Sequence, residues 1–81
     1  MNGRLTMFTT TTCGYCVRLK SGLARAGIDF DEVNIELDPD AESFVLEANG
    51  GLAIVPTLQL ADGRVLTNPP LPVLLEALNA A

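Results

Sequence analysis

Histidine and tryptophan are absent from the 81 residues, cysteine occurs only twice, and five Lys and Arg stand against ten Asp and Glu. Each shortage removes a class of chemistry. Without imidazole there is no Ser-His-Asp or Cys-His nucleophile system, no HExxH zinc site and no Cys2His2 finger. A net charge of −5, with Arg4, Arg18, Lys20, Arg25 and Arg64 as the complete set of bases, offers no basic stripe to displace counterions from a phosphate backbone. Nucleic acid is therefore not an expected partner. The longest uncharged stretch, residues 48–61, is interrupted by Asn49, Gly50, Gly51 and Pro56, whereas a membrane span needs ~20 predominantly apolar residues. The first fifteen residues are rich in threonine, without the leucine-type core and small-residue cleavage pattern of a secretory signal. The expectation is a soluble cytoplasmic protein, a monomer folding as one domain over residues 1–81. Its chemistry must come mainly from sulfur.

Periodicity organises the chain. Leu5 and Met7 alternate with Thr6 and Phe8, which predicts a strand over about residues 4–9. Cys16, Leu19, Leu23 and Ala26 then recur at helical spacing with Arg18, Ser21 and Arg25 opposite, until Gly27 stops the pattern as a C′ residue. Residues 30–37 alternate again, with Val33, Ile35 and Leu37 on one side and Glu32, Asn34 and Glu36 on the other. Asp38-Pro39 supplies an N-cap and a first-turn proline for a second helix. Phe44, Val45 and Ala48 give that helix an apolar face, and Asn49-Gly50-Gly51 ends it. Residues 57–61 and 64–67 flank Asp62-Gly63, a preferred type I′ pair, and so predict an antiparallel hairpin. Beyond Asn68 and Pro69, Leu71, Leu74, Leu75 and Leu78 trace a last helix. The order is βαβαββα, an α/β arrangement with a four-stranded mixed sheet flanked by three helices. In sheets that open with a βαβ crossover, chemistry gathers at the carboxyl ends of the parallel strands.

Cys13 falls at that point. In Cys13-Gly14-Tyr15-Cys16 the two sulfurs lie at positions i and i+3, on one face of a helical turn, so a reversible disulfide is sterically reasonable. Cys13 at the helix start meets unpaired N–H groups and the positive end of the macrodipole, which favour thiolate and make it the better nucleophile. Cys16, on the stripe shared with Leu19 and Leu23, suits a resolving role. Arg18 and Lys20 add a secondary positive potential. Other readings of the same pair are half of a zinc site, a metal or iron-sulfur centre shared between two chains, and two inert core cysteines. Val55-Pro56 precedes a strand. Taken alone it reads as an ordinary trans proline; in the cis form it would offer backbone groups to an extended substrate.

Thr12-Cys13-Gly14-Tyr15-Cys16, Ile54-Val55-Pro56-Thr57 and Asp62-Gly63, in this order along nearly the whole chain, resemble the glutaredoxin branch of the thioredoxin fold. Within the branch the chain is most similar to the mycoredoxins, through Arg18-Leu19-Lys20 after the CxxC, Asp31-Glu32-Val33, Asn49-Gly50-Gly51 and Leu66-Thr67-Asn68-Pro69. The resemblance implies a thiol-disulfide oxidoreductase without a tightly bound cofactor or metal. Cys13 would be the attacking thiolate, Cys16 the resolving thiol and Pro56 a cis proline facing them. Tyr15, Val55, Pro56, Thr67 and Asn68 would bind the substrate. Its partners would be a low-molecular-weight thiol, client proteins carrying disulfides or mixed disulfides, and an upstream disulfide reductase system. Glutathione-using members commonly carry a Lys before the CxxC and Gly-Gly with Asp before the last helix. Here Thr9 to Thr12 and Thr67-Asn68-Pro69 stand instead, and Thr12 replaces the Trp common among mycoredoxins. Hydroxyls and an amide suit a neutral sugar thiol, mycothiol, better than glutathione with its two carboxylates. The competing functions are a small redoxin that reduces protein disulfides with electrons from thioredoxin reductase, and a dimeric iron-sulfur-binding glutaredoxin.

Overall fold

The four-residue strand β1 (Thr6–Thr9) has neighbours on both edges and side chains buried on both faces. The computed structural model describes residues 5–79, so Arg4, included in the predicted first strand, lies outside the described residues. After β1 come α1 (Gly14–Arg25), β2 (Asp31–Asn34), α2 (Pro39–Ala48), β3 (Thr57–Gln59), β4 (Val65–Thr67) and α3 (Leu71–Asn79). The sheet order is β2-β1-β3-β4. β1 runs parallel to β2 and antiparallel to β3, and β3 runs antiparallel to β4. This is the predicted element order and the predicted mixed sheet.

The pleat of β1 sorts the core into two. Leu5 and Met7 point to one face and pack with Leu19 and Leu23 of α1, Leu58 and Leu60 of the β3 arm, and Leu74 of α3. Phe8 points to the other face and joins Ile35 with Ala41 and Val45 of α2. The Phe8 and Phe44 rings stack there at 5.0 Å between centroids. α1 and α3 thus cover one side of the sheet and α2 the other. Burying each such leucine or phenylalanine stabilises the fold by roughly 1.5–3 kcal/mol.

Local chemistry sets the helix ends. Gly27 adopts φ +71°, its N–H donates to Ala24 O, and the Ile28 N–H donates to Leu23 O at 3.0 Å. This Schellman pair stops α1 where the glycine was expected to stop it. The Asp38 carboxylate accepts from the N–H groups of Asp40 and Ala41, with Pro39 at the first position, and opens α2.

Several expectations need correction. Leu37 is 81% exposed and does not share a face with the buried Ile35. β2 stops at Asn34, whose side-chain oxygen takes the Glu36 N–H and whose carbonyl takes the Leu37 N–H, so a turn breaks the alternation. Ala26 and Ala48 are exposed, because both sit at helix ends beyond the side chains that reach the sheet. The hairpin is not a two-residue I′ turn. Gly63 N–H closes on Leu60 O and Leu60 N–H on Arg64 O, a three-residue connection in which Gly63 has φ +95° and Asp62 is not left-handed. The Asp62 carboxylate accepts from both the Arg64 N–H and its guanidinium, holding the aspartate in the ordinary region.

Leu58→Ala, at a fully buried site on β3, is expected to lower unfolding stability by about 2–5 kcal/mol. Val65→Ala, on the exposed side of β4, is expected to change it by less than about 1 kcal/mol. Urea midpoints at unchanged slope measure both.

Candidate active site

α1 begins on sulfur. Cys13 is its N-cap with extended backbone at φ −143° and ψ 104°, and its Sγ accepts the Cys16 N–H at 3.1 Å. Its carbonyl accepts the Val17 N–H, the first bond of the helix. A thiolate in this position would receive a backbone donor and the positive helix end together, both of which favour the charged form. Cys16 is 1% exposed, behind Cys13, on the stripe of Leu19 and Leu23. The two cysteines form a disulfide, with Cα atoms 5.2 Å apart.

The segment before β3 faces this pair. The Val55–Pro56 peptide is cis, Pro56 is fully buried, and the Val55 carbonyl oxygen lies 3.9 Å from Cys13 Sγ. The Pro56 carbonyl accepts the Asn68 N–H at 2.7 Å, which brings the residue after β4 alongside. Asn68 has φ +44°, an orientation asparagine tolerates better than most side chains. Tyr15 is 63% exposed and, with Asn68, lines the mouth of a groove between α1 and the start of α3. The structure therefore brings Cys13, Cys16, Val55 and Pro56 together and sets Tyr15 and Asn68 beside them. The Thr67 hydroxyl is turned away in part, because it donates to Asn49 Oδ1 at 2.6 Å.

Asn49 is the residue that sequence reasoning passed over as a helix terminator. Its Nδ2 donates to Val45 O and to Thr57 Oγ1, and Thr57 Oγ1 donates to Ile54 O at 2.7 Å. One amide thus ties the end of α2 to β3, β4 and the 54–57 segment that meets Cys13. The Asn-Gly-Gly sequence carried a signal for it only as a chain reversal, since the partners lie 8 and 18 residues away.

Two of the threonines before Cys13 are engaged by β2 and its following turn. Thr9 is 1% exposed, because β1 runs through it, and its hydroxyl donates to Glu32 Oε2. Thr11 donates its N–H to Glu36 and accepts from Asn34 Nδ2, so β2 and the turn after it brace the loop. Lys20, expected to add positive potential near the cysteines, has an acidic partner. It pairs with Glu32 at 3.0 Å on the side of the sheet that carries α1. The Lys20 ammonium, opposed by desolvation and aided by the Thr9 hydroxyl, holds the Glu32 carboxyl below its ordinary range. Hydrogen bonds from Thr11 do the same for Glu36. Among the described residues no group of three or more Cys, Asp or Glu is placed to hold a metal ion, and no helix is long and apolar enough to cross a membrane.

Glu32→Gln tests this bracing. A carboxyl whose folded-state pKa lies below 4.5 stabilises the fold above the unfolded pKa, and that contribution is lost as pH falls through the folded value. The pair is more than a third exposed on the Glu32 side, so the cost at neutral pH is expected to be no more than about 1 kcal/mol. The gap between variant and wild type in urea melts should close on acidification well below 4.5.

The sequence model of the glutaredoxin family matches residues 5–66. A Mycobacterium tuberculosis protein named for glutaredoxin is 52% identical over 65 residues, covering 80% of this chain and 77% of the relative. Mycoredoxin 1 of Corynebacterium glutamicum is 37% identical over 65 residues, 80% of each chain. The crystal structure of a thioredoxin-like protein superposes with a TM-score of 0.75 at 22% identity, over 89% of this chain and 96% of that one, which shows the shared fold. With its paired cysteines at the head of α1, the chain belongs to the glutaredoxin family as a mycoredoxin-like member, a thiol-disulfide oxidoreductase on the thioredoxin fold.

Proposed function

We propose that this oxidoreductase removes a low-molecular-weight thiol, mycothiol, from mixed disulfides on proteins. The observation that carries the reading is the cap geometry: one sulfur receives a backbone N–H at the helix start, beside the Val55 carbonyl, while its partner is 1% exposed. Members of the family use a thiol co-substrate such as glutathione or mycothiol and act on disulfide clients.

In the proposed cycle the Cys13 thiolate attacks the sulfur of the small thiol in the mixed disulfide. That S–S bond breaks, the client leaves as a thiolate that takes up a proton, and Cys13 becomes bonded to the small thiol. A second molecule of the small thiol then attacks that sulfur, releasing Cys13 as thiolate and the small thiol as its symmetrical disulfide. Alternatively Cys16, once deprotonated, attacks Cys13 Sγ, expels the small thiol and forms the Cys13–Cys16 disulfide, which an upstream reductase supplies with two electrons. Rates follow both the thiolate fraction and the leaving-group pKa. Val55, with its carbonyl beside Cys13, and Pro56 would hold the extended substrate, with Tyr15 and Asn68 at the edge.

The choice of mycothiol is supported by the similarity to Mycoredoxin 1 and by the residues next to Cys13. Thr12 directly before Cys13, the Val55 carbonyl 3.9 Å from its Sγ, and Asn68 bonded to the Pro56 carbonyl bring hydroxyl, backbone and amide groups there. A polyhydroxylated sugar thiol is met by such donors and acceptors without an unpaired charge.

Cys13→Ser is expected to abolish turnover. Cys16→Ser should retain removal of the small thiol and lose reduction of protein disulfides. In a coupled assay, the mycothiol mixed disulfide of a test protein should be turned over at least about tenfold more efficiently than the glutathione one, equal to a transition-state preference of about 1.4 kcal/mol. Equal efficiency would remove the sugar-thiol assignment. Rapid reduction of the Cys13–Cys16 disulfide by thioredoxin reductase, with no small-thiol turnover, would favour the redoxin function instead.

A further inference from the structure

Four basic residues fall among the described residues, and two are matched by acids. Lys20 pairs with Glu32 and Arg64 with Asp62. Arg18 and Arg25, both exposed and seven residues apart on α1, make no ion pair within the described residues and line the same groove. Seven residues is close to two helical turns, so both guanidinium groups belong to one side of the helix. The groove, of about 510 Å³, opens at Tyr15 and Asn68 beside the cysteines and runs toward the end of α1. Pro69, Pro70 and Leu71 form its other wall, and no carboxylate lines it. Gly22 lets α3 approach: a Cβ there would come 2.8 Å from Leu71 Cδ2. On a chain of net charge −5, this is a cationic, apolar-walled track leading away from the reacting sulfurs.

We infer that the groove between α1 and α3 docks an acidic segment of the client protein while the client's modified cysteine is presented to Cys13. The inference rests on the proposed de-thiolation of proteins and names the feature by which clients are chosen. Three observations commit it to a peptide of this chemistry. The unpaired charges in the groove are both positive, so carboxylates complement them, while the surplus of acids elsewhere repels an acidic partner from other approaches. The groove is continuous with Tyr15 and Asn68, so a segment lying in it remains joined to the reaction site. Its size also fits. At 1.5 Å rise per residue, Tyr15 to Arg25 spans about 15 Å, the length of four or five extended residues, and Arg18 to Arg25 about 10 Å. Two carboxylates about three residues apart, with an apolar side chain between them against Leu71 and Val17, match that spacing.

The test uses the whole protein and synthetic peptides that carry the small thiol on one cysteine. One peptide places two Asp three residues apart beside that cysteine, and its twin carries Asn at both positions. The acidic peptide is expected to show a KM about tenfold lower than its twin, with similar kcat, and the advantage should shrink as salt rises. Arg25→Glu, at the end of the groove far from the cysteines, should erase the preference while leaving turnover of a small symmetrical disulfide unchanged. Arg25→Gln should erase part of it, which separates charge reversal from simple loss of the contact. Equal KM values for the two wild-type reactions, or a preference that survives in both Arg25→Glu and Arg18→Glu, would overturn the docking inference alone. Wild-type protein that leaves every mixed disulfide untouched would instead overturn the functional reading beneath it. A concentration-dependent dimer dissolved by Arg25→Glu would overturn the inference by assigning the groove to a second copy of the chain.

Discussion

β1 sits between two strands and between two helical layers, and that confinement fixes almost everything else. A strand enclosed on all sides must satisfy its N–H and C=O groups along both edges and fill both faces with close-packed side chains. Met7 and Phe8, adjacent in sequence and opposite in direction, belong to different cores. The direction of β1 sets the register of β2 at Phe8↔Val33 and of β3 at Phe8↔Thr57. Its last residue, Thr9, lies four positions before Cys13. The loop that leads to the sulfur pair thus starts from a strand held on both edges and both faces.

The approach to the cysteines is braced from outside rather than from within. Glu32, Asn34 and Glu36 reach from β2 and its following turn to Thr9 and Thr11, and Asn49 reaches from α2 toward the segment that carries Val55. These are polar, partly exposed contacts worth roughly 0.5–1.5 kcal/mol each. The packed core supplies stability and the polar contacts supply aim. Such a division suits a site that exchanges covalent partners, because its reacting atoms stay accessible while the surrounding backbone is held.

Features governed by near neighbours were legible in the sequence. Gly27, Asp38 and Pro39 act through residues no more than four positions away, and the two-residue gap between Cys13 and Cys16 already placed them within one turn. The alternation of β1 and the spacing of α1 also carried their own evidence. Partnerships made across the fold were not legible. Nothing in the series Glu32, Asn34, Glu36 distinguishes three carboxylates and amides bracing a loop from three residues facing water, because Thr9 and Thr11 stand 23 to 25 positions away. Leu37 misled because alternation describes a strand only while the strand continues, and the Asn34 side chain ends it. Asp62-Gly63 misled because Arg64 engages the aspartate and selects a different turn. The pairing of Lys20 with Glu32, 12 positions away, was equally invisible in the sequence.

The capping role of Cys13 gives the Cys16 amide an unusual position. Helix caps are commonly hydroxyls or carboxylates whose chemical state is constant near neutral pH, whereas this cap is also one of the two disulfide sulfurs. The same N–H therefore faces an acceptor whose bonding changes when the disulfide opens, and whose charge would change with it were the freed sulfur a thiolate. That hydrogen bond strengthens when the acceptor is charged. A single backbone nitrogen at the head of α1 thus acts as an internal redox gauge. Its amide resonance would register the state of the sulfur pair directly, without a label attached to either cysteine.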